Sequence, residues 1–194
     1  LYAWVSVLVK SSCLSLPLMI RLIFLLLRKT YRDESMRMSE VIAADFCKPR
    51  GCFRADARAE GDVVEAGGWD IPPSGDPKEA RWFHLVLDRS NAKWAFHAGE
   101  PYRSIASIEL FTTLLSVILS DDRNRDGIIQ QSCIDGKTDN RGNTFAISKM
   151  LTTRYPLCII LMELAVQLHM RGITLDVSWI PREQNVEADE ISNG

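Results

Sequence analysis

Four acids spread along the chain, Asp56, Glu109, Asp139 and Asp189, are the residues best suited to shared chemistry. Carboxylates gathered within a few ångströms repel one another and raise their own pKa values unless a cation offsets them. Hard oxygen ligands of this kind suit Mg²⁺ or Mn²⁺, which keep waters and bind phosphate. Two such ions about 4 Å apart activate a water and stabilise the leaving oxygen in phosphodiester hydrolysis. Each acid also has a plainer reading. Asp56 serves equally as an edge-strand charge against aggregation, and Glu109 as a solvated helix acid. Asp139 suits an N-cap, and Asp189 a first-turn acid favoured by the helix dipole. Convergence in space decides between the two sets.

The elements that would have to bring them together can be read from periodicity. CFRADARAEG alternates Phe53, Ala55 and Ala57 against Cys52, Arg54 and Asp56, as a half-buried strand does. VVEAGGWDI and WFHLVLD supply two more strands around the turn-rich IPPSGDP, an antiparallel meander. SIASIELFTTLLSVILS is a helix, with Ile108, Phe111, Leu115 and Ile118 at helical spacing and Ser104 as its N-cap. Glu109, Thr113, Ser116 and Ser120 share one polar face of it. A fourth strand in QQSCIDGKTDN runs to Asp139, and GNTFAISKMLTT reads as a helix. YPLCIILMELAVQLHMRG is a second long helix closed by Gly172, and ITLDVSW is the fifth strand. A Pro turn then leads to Asn185, which caps a last helix carrying Glu187, Asp189 and Glu190. The order β-β-β-α-β-α-α-β-α gives an α/β fold, a mixed sheet covered by helices whose first and fourth strands can be central neighbours.

Composition excludes several classes. With 46% hydrophobic and 25% charged residues among 194, the chain is globular. A net charge of −2 gives no global basic field, so a nucleic-acid partner needs a local basic face, a metal or a neighbouring domain. Five scattered cysteines without C-x-x-C fit a reduced intracellular compartment, with cytoplasm and nucleus unseparated. A zinc module from Cys47, Cys52 and two of His84, His97 and His169 lacks paired histidine spacing. Trp69, Trp82, Trp94 and Trp179 read as core or sheet-face residues.

Residues 1–46 are strongly apolar, but Lys10, Pro17 and Arg21 divide them into runs shorter than the roughly 20 residues a spanning helix needs. No membrane partner is expected; these residues read as one or two helices packing on a neighbouring domain. CKPRGC is the hinge into a second unit, 47–194. A first residue other than Met and an end just after a helix begins read as a piece of a longer polyprotein with a truncated last helix.

From Phe53 onward the chain resembles the ribonuclease H domain of retroelement reverse transcriptases. The resemblance rests on FRADARAEGDVVEAGGW, ASIELFTTLLSVIL, KTDNRGNTFAISK and WIPREQNVEADEIS, and covers about three-quarters of the chain. TDN-x-G-N and IP-x-E-x-N-x-x-AD are its most specific parts. It implies a ribonuclease H-like five-stranded mixed sheet, three antiparallel strands and then two crossover strands, with helices on both faces. It also implies two Mg²⁺ or Mn²⁺ ions on Asp56, Glu109, Asp139 and Asp189, and cleavage of the RNA strand of an RNA–DNA hybrid, leaving a 3′-hydroxyl and a 5′-phosphate. Asn140 and Asn185 become candidate ribose or phosphate contacts, with Lys137 and Arg141 as basic substrate contacts and Lys149 near them. Residues 1–46 become the tail of a polymerase thumb or connection, and that polymerase domain a partner. Two departures stand out: Arg58 replaces a small or hydroxyl residue, and no histidine precedes the last acid, leaving Arg182 or Gln184 in its place. The alternative is a decayed module that no longer cuts, and a further one is another nuclease or integrase of the same fold.

Overall fold

A computed structural model describes residues 49–71, 76–120 and 132–193. The apolar segment 1–46, with its expected helices and docking, lies outside the described residues. Five strands form one sheet: β1 (Pro49–Glu60), β2 (Val63–Ile71), β3 (Arg81–Leu87), β4 (Ser132–Thr138) and β5 (Ile173–Trp179). Their order is β3-β2-β1-β4-β5. The β1–β2 and β2–β3 pairs are antiparallel, while β1–β4 and β4–β5 are parallel. The expected mixed five-stranded sheet is therefore the observed one, and β1 and β4 are neighbours at its centre.

Helices α1 (Ile105–Ser120), α2 (Arg141–Lys149), α3 (Leu157–Arg171) and α4 (Val186–Ser192) complete the fold in the expected order. Alternation along β1 assigns its two faces. Phe53 and Ala55 enter a core with Leu110, Leu114 and Val117 of α1 and Leu161 and Leu164 of α3. Burying side chains such as Leu110 and Leu164 contributes about 2 kcal/mol each. On the opposite face Asp56 meets α4 through Ser192. Helix α4 sits close because β2 has glycine beneath it: a Cβ on Gly67 would lie 2.7 Å from the Ser192 backbone nitrogen.

Three readings change. The polar face of α1 is not solvated: Thr113, Ser116 and Ser120 are buried. Thr113 and Ser116 hydroxyls donate to the carbonyls of Glu109 and Thr112, at 3.1 and 3.0 Å, so these two side chains are satisfied by their own helix. Helix α2 ends at Lys149 rather than running through Thr153, because Met150 turns left-handed at φ 45°. The Met150 and Leu151 amides then close back on the Ile147 and Ala146 carbonyls. The tryptophans divide between core and sheet face. Trp94 packs against the core, whereas Trp82 is 71% exposed on β3. Third, Ser104 closes a 3-10 turn, Pro101–Ser104, that leads into α1, and its hydroxyl lies 3.2 Å from His97 Nδ1 instead of capping the helix.

Candidate active site

The parallel ladder between β1 and β4 has its last pair at Arg54 and Lys137, and β1 continues to Glu60. The sheet therefore steps at the carboxyl end of β4, and Asp56 stands on that step. Asp139 follows the last residue of β4. Glu109, in the second turn of α1, reaches the same place from the core side. Burial pushes the Asp56 carboxyl up to about 6, with Asp139 and Asp189 adding to the rise and the Ser192 hydrogen bond opposing it. Burial also pushes Glu109 up to about 8, with Asp139 and Asp56 adding to the rise and an Asn140 hydrogen bond opposing it. The acids thus act on one another electrostatically, which isolated surface carboxylates do not.

Their partners are few. Ser192 Oγ donates to Asp56 Oδ2 at 2.7 Å, across a separation of 136 residues. Asn140 uses both ends of its amide: it donates toward Glu109, and its Oδ1 accepts from the Asn143 amide at 3.1 Å. Asn140, not Asp139, is therefore the N-cap of α2. Asn143, buried to 1%, donates to the Ala106 carbonyl at 2.9 Å and locks α2 onto the start of α1. Glu109 Oε2 is buried with no hydrogen-bond partner among the described residues.

Asp189 is held differently. It lies in the first turn of α4, with Arg182 donating to Oδ1 at 2.8 Å and Asn193 donating to Oδ2 at 3.1 Å. It contributes to the field at Asp56, yet its own carboxylate is turned to a cation of the preceding loop. Among the described residues no three Asp, Glu, His or Cys side chains close into a ready-made metal cage. The donor set nonetheless fits a hard cation. It offers carboxylate oxygens, two of the acids are shifted toward neutrality by burial, and one buried oxygen has no hydrogen-bond partner among the described residues.

Sequence-predicted substrate residues fall in several environments. Asn185 is fully buried, and its Nδ2 reaches the Ala55 carbonyl at 3.4 Å. It offers no atom to a substrate and no side-chain cap to α4; its backbone carbonyl accepts the Asp189 amide instead. Asn140 is half-buried and uses its side chain on Glu109 and on the start of α2. Lys137 is half-buried opposite Arg54. The Arg141 guanidinium is exposed and lies 4.0 Å over the Trp179 ring. Lys149 is exposed at the end of α2. Arg58 is exposed and donates to Asn193 Oδ1 at 2.8 Å.

Sequence reasoning missed Ser192 and Asn143. A serine near a chain end carries no local signal for a contact with β1. Asn143 had one, as the last Asn of TDNRGN, three residues after the cap.

No family model and no curated protein matches the sequence. Solved structures do match. A ribonuclease H1 isolated from compost by a metagenomic approach superposes with a TM-score of 0.56 at 15% identity, covering 75% of this chain and 94% of that one. The same enzyme in complex with an RNA/DNA hybrid gives 0.54 at 15% identity, covering 74% and 94%. The ribonuclease H1 of the halophilic archaeon Halobacterium salinarum gives 0.53 at 14%, covering 74% and 95%. Sheet order, strand directions and helix placement agree with these likenesses, and the described domain has a ribonuclease H-like fold.

Proposed function

We propose that this domain is a divalent-metal-dependent endoribonuclease that cuts the RNA strand of RNA–DNA hybrids, as the nuclease part of a retroelement reverse transcriptase. The observation that carries the reading is the acid pair: buried Asp56 and half-buried Glu109 converge from two elements far apart in sequence, and Glu109 Oε2, itself buried, lacks a hydrogen-bond partner among the described residues. A buried carboxylate without a partner costs stability unless something offsets it. The motif resemblance across TDNRGN and WIPREQNVEAD supports the retroelement assignment, and a ribonuclease H1 of similar fold is known with an RNA/DNA hybrid.

Asp56, Glu109 and Asp139 would hold the cations, with Asp189 completing a second position. When bound, Mg²⁺ or Mn²⁺ supplies Lewis-acid activation of the attacking water and offsets charge on the leaving oxygen. The chain's own residues prepare that site. Ser192 and Asn140 aim the carboxylates of Asp56 and Glu109, each donating to the charged form. Glu109, raised to about 8, carries its proton at neutral pH and has to release it as a cation enters. Arg182 draws Asp189 toward the loop, so that acid must exchange a cationic side chain for a metal. Lys137 and Arg141 supply a local basic contact for phosphates on a chain of net charge −2. We expect binding to weaken steeply with salt if these residues meet phosphate. RNA is distinguished from DNA by its 2′-hydroxyls. The polymerase domain of the same polyprotein would supply further grip on the hybrid, in an intracellular setting.

The test is cleavage of an end-labelled RNA–DNA hybrid with Mg²⁺ or Mn²⁺, beside single-stranded RNA and an Asp139→Asn variant. We expect RNA cut in the hybrid alone, and none in the variant. Cutting retained in Asp139→Asn would contradict the site. No cutting by the native chain, together with no stabilisation by Mg²⁺, would favour a decayed structural module, a reading to which the Arg182–Asp189 pair lends some support.

A further inference from the structure

Asp139 lies on a turn rather than in the sheet, so something must hold its backbone at the height of Asp56. The parallel ladder carries β5 along β4 as far as Trp179 opposite Thr138, and the Ile180 amide donates to the Thr138 carbonyl at 2.9 Å. One residue beyond, the ladder is replaced by a side chain: Trp179 Nε1 donates to the Asp139 carbonyl at 2.8 Å. The ring that makes this bond is 38% exposed, and the Arg141 guanidinium from the first turn of α2 covers it at 4.0 Å. On the other side of the turn, Asn140 is fixed by its amide on Thr138 Oγ1 at 3.2 Å and by its cap on Asn143. The turn is therefore clamped from two sides, and the Trp179 bond reaches the acid residue itself. An indole offers a single donor and no acceptor, so its orientation is unambiguous.

We propose that Trp179 is a positioning residue for Asp139, its indole N–H fixing the acid's backbone while the Arg141 guanidinium shields that bond from water. The proposal rests on the reading of Asp139 as a cation ligand. It assigns a role to a tryptophan that the sequence marks only as a sheet-face residue. Partners one step behind a metal ligand typically change its affinity by about 10- to 100-fold when removed.

The test uses the intact chain and Trp179→Phe, which keeps an aromatic face for Arg141 and removes only the N–H. Mn²⁺ affinity is read by calorimetry, and kcat and KM for the hybrid are read separately. We expect roughly tenfold weaker Mn²⁺ binding and a similar fall in kcat, with KM unchanged. Trp179→Tyr serves the same purpose should the Phe variant not fold. In the native chain, Mn²⁺ should also broaden one indole N–H signal before those of Trp82 and Trp94. Native Mn²⁺ affinity and native kcat in either folded variant would overturn the proposal while leaving the metal site standing. No Mn²⁺ binding by the native chain would overturn the metal reading and this one with it.

Discussion

Asp56 and Glu109 differ sharply in setting from Asp139 and Asp189. Asp56 is buried at the sheet step and Glu109 is half-buried beside it, the two pushed up in pKa to about 6 and about 8, and one buried Glu109 oxygen has no hydrogen-bond partner among the described residues. Asp139 and Asp189 sit at the rim, where Asp189 already has a cation, Arg182, on its carboxylate. The contrast shows where stability and chemistry conflict. A carboxylate in water with an arginine costs the fold little and gains it little. A buried carboxylate without a counter-charge costs the fold something at every pH where it ionises.

Activity is where the contrast should vanish, because the proposed ligands of one cation set would be needed together. We expect Asp56→Asn and Asp139→Asn each to lower hybrid cleavage by about a thousandfold, measured as kcat/KM with Mg²⁺. A rim variant that kept near-native cleavage while the buried one lost it would confine the cation site to the core acids.

Stability is where the contrast should be widest. Asp56 and Glu109 both bind protons more tightly folded than unfolded, since 3.8 and 4.5 become about 6 and about 8. Between about pH 4 and pH 8 the folded state therefore holds more protons, and stability without metal falls as pH rises. Thermal melts in EDTA should show that decline. Glu109→Gln should flatten most of it and stabilise the metal-free protein at pH 8 by about 2 kcal/mol. A steady or rising melting temperature over that range would contradict the burial of these charges.

Smaller effects separate the partners. Ser192→Ala removes the donor on Asp56 and should cost about 1 kcal/mol above pH 6, where that acid is ionised, and shift its titration upward. Chemical denaturation at pH 5 and pH 8 would read both. Arg182→Ala, which breaks an exposed pair, should change stability by less than about 0.5 kcal/mol. A cost as large as that of Ser192→Ala would mean that the rim is held as tightly as the core.

The legible parts of this molecule were those with a local period. Alternation in FRADA placed Phe53 and Ala55 in the core and Asp56 on the other face, because one side of the sheet is packed by α1 and the other receives α4. The mixed sheet, with its first and fourth strands as possible central neighbours, followed from helices that separate β4 and β5 from the strands before them, while the full order β3-β2-β1-β4-β5 is seen only in the structure. Hidden from the sequence were contacts between distant residues, such as Ser192 on Asp56 and Trp179 on the Asp139 carbonyl. The same holds for Asn185, whose place beside a Pro turn reads as a cap, yet its amide reaches into β1. Thr113 and Ser116 read as polar surface because hydroxyls satisfied by their own helix look no different in sequence from solvated ones.

The most direct measurement is calorimetric titration of Mn²⁺ into the metal-free chain at pH 7, in two buffers of different ionisation heat. We expect binding with release of about one proton, because Glu109 at about 8 is protonated before a cation enters and Asp56 at about 6 is largely not. Glu109→Gln should abolish that release. No binding, or binding without proton release, would contradict the Asp56–Glu109 pair as the heart of a cation site.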